Sequence, residues 1–270
     1  MSVVRSEERT PEQLSELLAI LQAQGYGQAS LGALMGEYLS LPGLVAFYPG
    51  SAMGSSGELR DLSGNALHLS RNGTANQSFT DFGTPFLTFD GSGDYFSLAD
   101  TALLDILGTE VRIVSGKRGL TFGCFCRFTN SASAAEVLIS KWATSNWSYN
   151  IRRNPTGNAV ATITSDGTFA TQIDATHTNT ISAGQWVMIC GRFVPSTSVD
   201  VYMNGVKVSN TSSIPTAIYN GTASLNFGAT DGGSANELTG DIALPFLCAA
   251  AVPDDRILSL YHMGRRLFGA

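Results

Sequence analysis

QWVMICGRFVPSTSVDVYMNGVKVS, residues 185–209, carries two patterns that together specify an antiparallel sheet. Its second half alternates Val199, Val201 and Met203 with Asp200 and Tyr202, breaks at Asn204-Gly205, and resumes with Val206 and Val208. Alternation with a period of two puts one set of side chains on each face of a strand, and Asn-Gly supplies the positive φ values of a two-residue type I′ hairpin. The first half, Trp186 to Phe193, is apolar at nearly every residue. A short unbroken apolar run between turn signals predicts a central strand covered on both faces.

Working outward from this pair, Leu120, Phe122, Cys124, Cys126 and Phe128 give another strand with one clean core face. The β domain begins from Leu44 with LVAFYP, and strands are also expected at Glu136–Trp142, Ser148–Arg153, Ala159–Thr164 and Phe169–Asp174, and at Ala223–Phe227 and Asp241–Ala249. Two more flank the Asp-Gly-Ser-Gly turn at 90–93, and Ala99–Leu107 reads as a helical turn. Short strands at this spacing mean a two-sheet sandwich. Helices bracket it. Thr10-Pro11-Glu12-Gln13 is a helix start followed by Leu14, Leu17, Leu18 and Leu21, and a second helix is expected at Leu31–Leu39 with Leu34, Met35 and Tyr38. Pro253-Asp254-Asp255 opens a terminal helix that turns Ile257, Leu260, Tyr261 and Leu267 inward. The organisation is therefore a helical arm, residues 1–42, before an all-β, antiparallel jelly-roll domain, residues 43–270. The arm's apolar stripe must be buried, either on its own domain or as an anchoring or oligomerising element.

The chain has 270 residues, 43% of them hydrophobic and only 14% charged. That supplies a sizeable core under a neutral, polar surface. Its net charge of −6 leaves no basic footprint able to displace counterions, so a nucleic-acid partner is not expected. The amino terminus lacks the apolar core of a secretory signal, and the longest apolar run, Ala243–Val252, contains Pro245 and is too short to span a bilayer. Folding in the cytoplasm and no membrane insertion are the expectations. Cys124 and Cys126 are poorly placed for a mutual disulfide, and with Cys190 and Cys248 they read as small buried hydrophobes. The Asn-X-Ser/Thr sequons at Asn72, Asn76, Asn146, Asn210 and Asn220 read as chance in Asn/Ser/Thr-rich turns.

With DLSGNALHLSRNGT (61–74), FLTFDGSGDYFSL (86–98), GLTFGCFCRF (119–128), VYMNGVKV (201–208) and the closing LTGDIALPFLCAAAVPDDRILSLYHMGRRL (238–267), the chain resembles the laminin-G-like, pentraxin-like jelly rolls of the concanavalin A-like class. The resemblance implies that fold, and a structural Ca2+ held by Asp61 and Asp241 with Asn65 as a third ligand. The loop Asp61-Leu62-Ser63-Gly64-Asn65 offers a carboxylate, an amide and carbonyls of the kind calcium takes. The alternative reading is that Asp61 and Asn65 make Asx turns. Ala-Leu-Pro-Phe after Asp241 departs from the family's acidic and β-branched continuation.

No Glu-x-Asp-x-x-Glu strand, Gly-x-Ser-x-Gly elbow or phosphate-cradling glycine loop is present, so nothing local points to an enzyme. Trp147 and Tyr149 offer an aromatic platform for stacking on a sugar ring, while Trp142 reads as sheet core or rim. An arm plus one such domain, without a signal peptide, resembles stand-alone phage-encoded proteins. The implied function is a non-enzymatic capsid decoration or fibre subunit of a tailed-phage virion, held to other virion proteins or to itself through residues 1–42 and presenting loops to surface glycans. The alternative is a bacterial lectin module or a degenerate glycoside hydrolase.

Overall fold

The computed structural model describes residues 29–50, 53, 57–81, 83–108 and 118–270. The helix expected from Thr10 to Leu21 lies outside the described residues. In chain order the elements begin with α1 (Ala29–Leu39), β1 (Leu44–Phe47), β2 (Ser70–Asn72), β3 (Asn76–Phe79), β4 (Pro85–Asp90), β5 (Tyr95–Leu98) and β6 (Leu120–Phe128). There follow β7 (Glu136–Ala143), β8 (Asn146–Arg153), β9 (Asn158–Ile163), a 3-10 turn at Phe169–Thr171, β10 (Ile173–Thr180) and β11 (Trp186–Val194). The chain closes with β12 (Ser198–Met203), β13 (Val206–Asn210), β14 (Leu225–Phe227), β15 (Thr239–Cys248) and α2 (Asp254–Phe268).

The strands form two antiparallel sheets. One runs β13-β12-β11-β6-β15-β4-β3, with β1 also paired to β15, and the other runs β10-β9-β8-β7-β14-β5-β2. The β12–β13 hairpin pairs Met203 with Val206 across Asn204 (φ 53°) and Gly205 (φ 78°), the two positive φ values of the expected turn. The two strands around Asp90-Gly91 do not pair with each other. β4 belongs to the first sheet and β5 to the second, so the Asp-Gly-Ser-Gly turn carries the chain from sheet to sheet.

The intersheet core takes Phe122, Cys124, Cys126 and Phe128 of β6, Val187, Ile189 and Phe193 of β11, and Val199, Val201 and Met203 of β12. From the second sheet it takes Ile139, Tyr149, Ile151, Ala161, Ile163, Leu225 and Phe227. β11 is apolar throughout because its alternate residues, Trp186, Met188 and Cys190, enter a second core on the outer face of the first sheet. Both helices cover that face. α1 supplies Leu31, Leu34, Met35, Tyr38 and Leu39, and α2 supplies Ile257, Leu260, Leu267 and Phe268, with Tyr261 half-buried beside them. Gly264 permits the close approach of α2, since a Cβ there would lie 2.2 Å from the Phe125 ring. α2 begins with Asp254 and Asp255 and ends with Arg265 and Arg266, charges that complement its dipole, and Gly269 (φ 69°) closes it.

Phe169–Asp174, expected as one strand, is instead a 3-10 turn followed by β10. Asp166 Oδ1 accepts from Thr168 N, Thr168 Oγ1 and Thr171 Oγ1, which curls the chain before Ile173 reaches the sheet. All four cysteines are buried free thiols. Among the described residues no helix is long and apolar enough to cross a membrane.

Candidate functional site

One end of the second sheet gathers the β7–β8 hairpin, the 164–172 connection and the 218–222 and 229–235 loops. The hairpin is irregular. Lys141 pairs with Tyr149 but Trp142 pairs with Trp147, so Ser148 is an extra residue on β8. The bulge sets Trp142 and Trp147 directly opposite each other, and their indoles stack with centroids 4.9 Å apart and planes 9° apart. Phe169 stands edge-on to Trp147 at 6.1 Å and is 73% exposed, which makes it the tip of a three-ring apolar cluster.

Polar groups rim the cluster. Asp231 accepts from Thr144 N (3.1 Å) and Thr144 Oγ1 (2.9 Å), while its own N–H donates to Trp142 O (2.9 Å). Asn146 Nδ2 donates to Thr222 Oγ1 (2.9 Å), and Thr222 N donates back to Asn146 Oδ1 (3.0 Å). Trp147 N donates to Gly167 O, and Thr164 Oγ1 donates to Trp147 O. Hydrogen bonds from Thr171 and then Thr168 hold the fully exposed Asp166 carboxyl below its ordinary range, so it is an anion at neutral pH. Gly233 (φ +89°) lets the 229–235 loop lie flat on the Tyr95 ring, 2.1 Å from where a Cβ would stand. These interactions pin the loops around the rings. The carboxylates at this rim hold their own loops in shape.

Of the two ring residues expected from sequence, only Trp147 belongs to this surface. Tyr149 is 1% exposed and packs on Phe122 in the intersheet core at 5.1 Å, because the bulge at Ser148 turns it to the opposite face from Trp147. The sequence reading missed Trp142 as a surface group, and Phe169. The signal for Trp142 was its near-symmetric position across Ala143–Asn146 from Trp147.

The structure does not bring Asp61, Asn65 and Asp241 together. Asp61 is 5% exposed, and its oxygens accept from Phe47 N, Ser63 N, Ser63 Oγ and Leu67 N. Asn65 Nδ2 is directed to Val45 O and presents an amide hydrogen, not an oxygen, to that neighbour. Asp241 is 1% exposed, with Arg127 Nε on Oδ2 (2.7 Å) and Thr88 Oγ1 on Oδ1 (2.9 Å). Asp61 binds the backbone of Phe47, which pairs with Phe246, five positions along β15 from Asp241. At a rise of about 3.3 Å per residue the two carboxylates stand roughly 15 Å apart along that strand. Asp61 is the Asx-turn hub that was the other reading of its loop. Among the described residues no group of three or more His, Cys, Asp or Glu side chains converges as a metal ion would require.

The comparisons with known proteins agree with this architecture. Residues 90–244 match the family model described as the concanavalin A-like lectin/glucanases superfamily. No curated protein sequence matches the chain. Solved structures with the same fold include the binding domain of Paraclostridial Mosquitocidal Protein 1, at TM-score 0.63 and 14% identity, covering 83% of this chain and 52% of that one. Domain 4 of AbnA, a GH43 extracellular arabinanase from Geobacillus stearothermophilus, solved with arabinotriose, aligns at TM-score 0.58 and 18% identity over 82% of this chain and 99% of that one. The binding domain of botulinum neurotoxin DC, solved with rat synaptotagmin II, aligns at TM-score 0.61 and 12% identity over 82% and 51%. The chain thus spans about half the length of the toxin binding domains and nearly all of the arabinanase domain. A two-sheet sandwich with a family match over more than half its length identifies the chain as a member of the concanavalin A-like lectin/glucanases superfamily.

Proposed function

We propose that the domain is a non-catalytic binding module that takes glycans at the Trp142–Trp147–Phe169 cluster. The observation that carries this reading is Phe169, a large aromatic side chain 73% exposed and braced by a tryptophan stack. Leaving such a ring in water is costly, and a sugar's C–H face covers it while the Thr144, Asn146 and Thr222 side chains surround its hydroxyls. The fold relatives support binding as the general role, and one of them was solved with an arabinose oligosaccharide.

The test is a glycan array on the full chain followed by titration calorimetry with the best hit. Phe169→Ala and Trp147→Ala are each expected to weaken binding about tenfold, ~1.4 kcal/mol. Binding by both variants at wild-type affinity, or an array with no hit, refutes the proposal.

We infer further that residues 1–42 tie the domain to a larger assembly, as a capsid decoration or fibre subunit of a tailed-phage particle, or to copies of itself. The support is the Leu14, Leu17, Leu18, Leu21 stripe. Because Leu34, Met35 and Tyr38 are fully buried on the sandwich, the truncation that tests this begins at Ala29 and keeps α1. Light scattering is expected to give a closed oligomer for the full chain and a monomer for the truncation. A monomer in both cases removes self-association, and purified particles lacking the polypeptide remove the virion reading.

A further inference from the structure

At the inner face of the second sheet, Lys141 sits between Leu225 of β14 and Tyr149 of β8, its direct partners in the two ladders. Its side chain is 1% exposed. The ammonium meets Asp100 Oδ1 at 2.8 Å and Asp105 Oδ1 at 3.9 Å, and donates to Gly221 O. Both aspartates belong to the connection after β5, which is anchored by the fully buried Leu104 and by Ile106. The Tyr149 hydroxyl beside them is buried and has no hydrogen-bond partner. Burial first, and then the Asp100 and Asp105 charges, raise its pKa well above the ordinary phenol range, so it stays a proton donor.

A primary amine, a carboxyl in contact with it, a second carboxyl and a protonated phenol in a mostly dry site are the components of amide formation. We propose that Lys141 and Asp100 form an intramolecular isopeptide bond, with Asp105 carrying the proton. An ammonium and a carboxylate in contact interconvert with amine and carboxylic acid by transfer of one proton. From the neutral pair, the Nζ lone pair adds to Cγ of Asp100 while the Tyr149 hydroxyl donates to the developing oxyanion. Asp105 takes one proton from Nζ and returns it to the departing hydroxyl. One C–N bond forms, one C–O bond breaks and one water leaves. The step needs no oxidant, metal or cofactor. The aspartate side chains are each 25% exposed, which gives that water an exit. The product is a covalent brace between β7 and the β5–β6 connection, directly beneath the hairpin that carries Trp142 and Trp147.

Denaturing mass spectrometry of the purified full chain reads the bond. The mass is expected to be lower by one water, and trypsin is expected to leave the bond after Lys141 uncut, in a branched peptide joined to the peptide that contains Asp100. Lys141→Met and Asp100→Ala are expected to restore the full mass, and Asp105→Asn to slow bond formation at least tenfold after refolding. Dehydration at Asp90-Gly91, Asp166-Gly167 or Asp231-Gly232 removes the same mass, so the peptide map decides. A water loss that maps to one of those sites, or an ordinary peptide ending at Lys141 in the mature protein, overturns the proposal. Because that readout is made on the wild-type chain, it stands even where a variant fails to fold. An unchanged rate in Asp105→Asn refutes the proton-carrying role.

Discussion

Replacing Arg153 with Met removes the cation that Asn130 and Glu136 hold. Arg153 is fully buried in the mouth of the sandwich opposite the tryptophan hairpin, with its guanidinium carbon 4.2 Å from the centre of the Phe128 ring. It donates to Asn130 O (2.9 Å), to Asn130 Oδ1 and to Glu136 Oε2. Glu136, whose side chain is 5% exposed, keeps only Thr239 N (3.0 Å) and Asn130 Nδ2 (3.2 Å) on its other oxygen. Methionine preserves the apolar stem over Phe128, so lost packing is a minor part of the change. What remains is a buried carboxylate without its counter-charge and a carbonyl without its donor. Breaking a buried pair in this way costs about 3–5 kcal/mol.

At about 2–4 °C per kcal/mol for a domain of this size, the melting temperature should drop by roughly 10 °C or more. Urea unfolding followed by tryptophan fluorescence measures the free energy. The decisive comparison is the double variant Arg153→Met/Glu136→Leu. Replacing both charges by apolar groups is often close to neutral, so the double variant should be more stable than Arg153→Met by about 2 kcal/mol or more. A single variant that loses less than ~1 kcal/mol, or a double variant that loses the sum of the two singles, refutes the reasoning.

His177 gives a pH dependence. It is 1% exposed on β10, Asn179 N donates to its Nδ1, and burial outweighs the backbone hydrogen bonds to hold its pKa below the ordinary range. The unfolded chain therefore binds a proton that the folded one refuses, and stability falls as pH drops below about 6.5. The urea midpoint measured from pH 7.5 to 5 should show this decline, and His177→Gln should flatten it; an unchanged slope in that variant sinks the assignment. Tyr149→Phe removes a buried hydroxyl that has no partner, so it should leave stability level or raise it by about 1 kcal/mol. It should also leave glycan affinity unchanged, and a fall in affinity would return Tyr149 to the binding surface. Asp61→Ala strips acceptors from three backbone N–H groups and one hydroxyl and should cost about 2–4 kcal/mol, by the same amount in calcium and in chelator. A melting temperature that rises with calcium only when Asp61 is present would contradict the hub reading.

Most of the fold was legible because burial on two faces writes itself as composition. β11 reads as a continuous apolar run since Val187 and Ile189 fill the intersheet core while Trp186, Met188 and Cys190 meet the helices, and β12 reads as alternation that keeps Asp200 and Tyr202 on the helix side. Arg192 reaches that buried Asp200 at 2.8 Å and the Asp254 carboxylate at 2.6 Å, so the start of α2 is fixed by charges that no periodicity reveals. The residues expected to hold calcium are engaged elsewhere for a related reason. Asp61 and Asp241 have the residue types a cation wants, but their partners are the Leu67 amide of the same loop and the Phe47 amide in one case and Arg127, 114 residues away, in the other. An oxygen's availability depends on who already holds it.

The proposed binding surface turns on a single inserted residue. With a regular ladder, Trp147 and Tyr149, two apart on β8, would share a face and form the platform that their spacing predicts. Ser148 breaks the count: Lys141 opposes Tyr149, its neighbour Trp142 opposes Trp147, and the two aromatic residues of β8 part to opposite faces. A one-residue shift exchanges inside for outside, and here it does so only at the hairpin's end. The outward pair gains Phe169 from the 3-10 turn and becomes a solvent-facing cluster. The inward pair becomes Lys141 and Tyr149, a charge and a hydroxyl held in the core against Asp100 and Asp105. The same bulge therefore creates both features that set this domain apart from a plain sandwich. The helices already cover the outer face of the first sheet, which leaves the hairpin end of the second for the proposed glycan site.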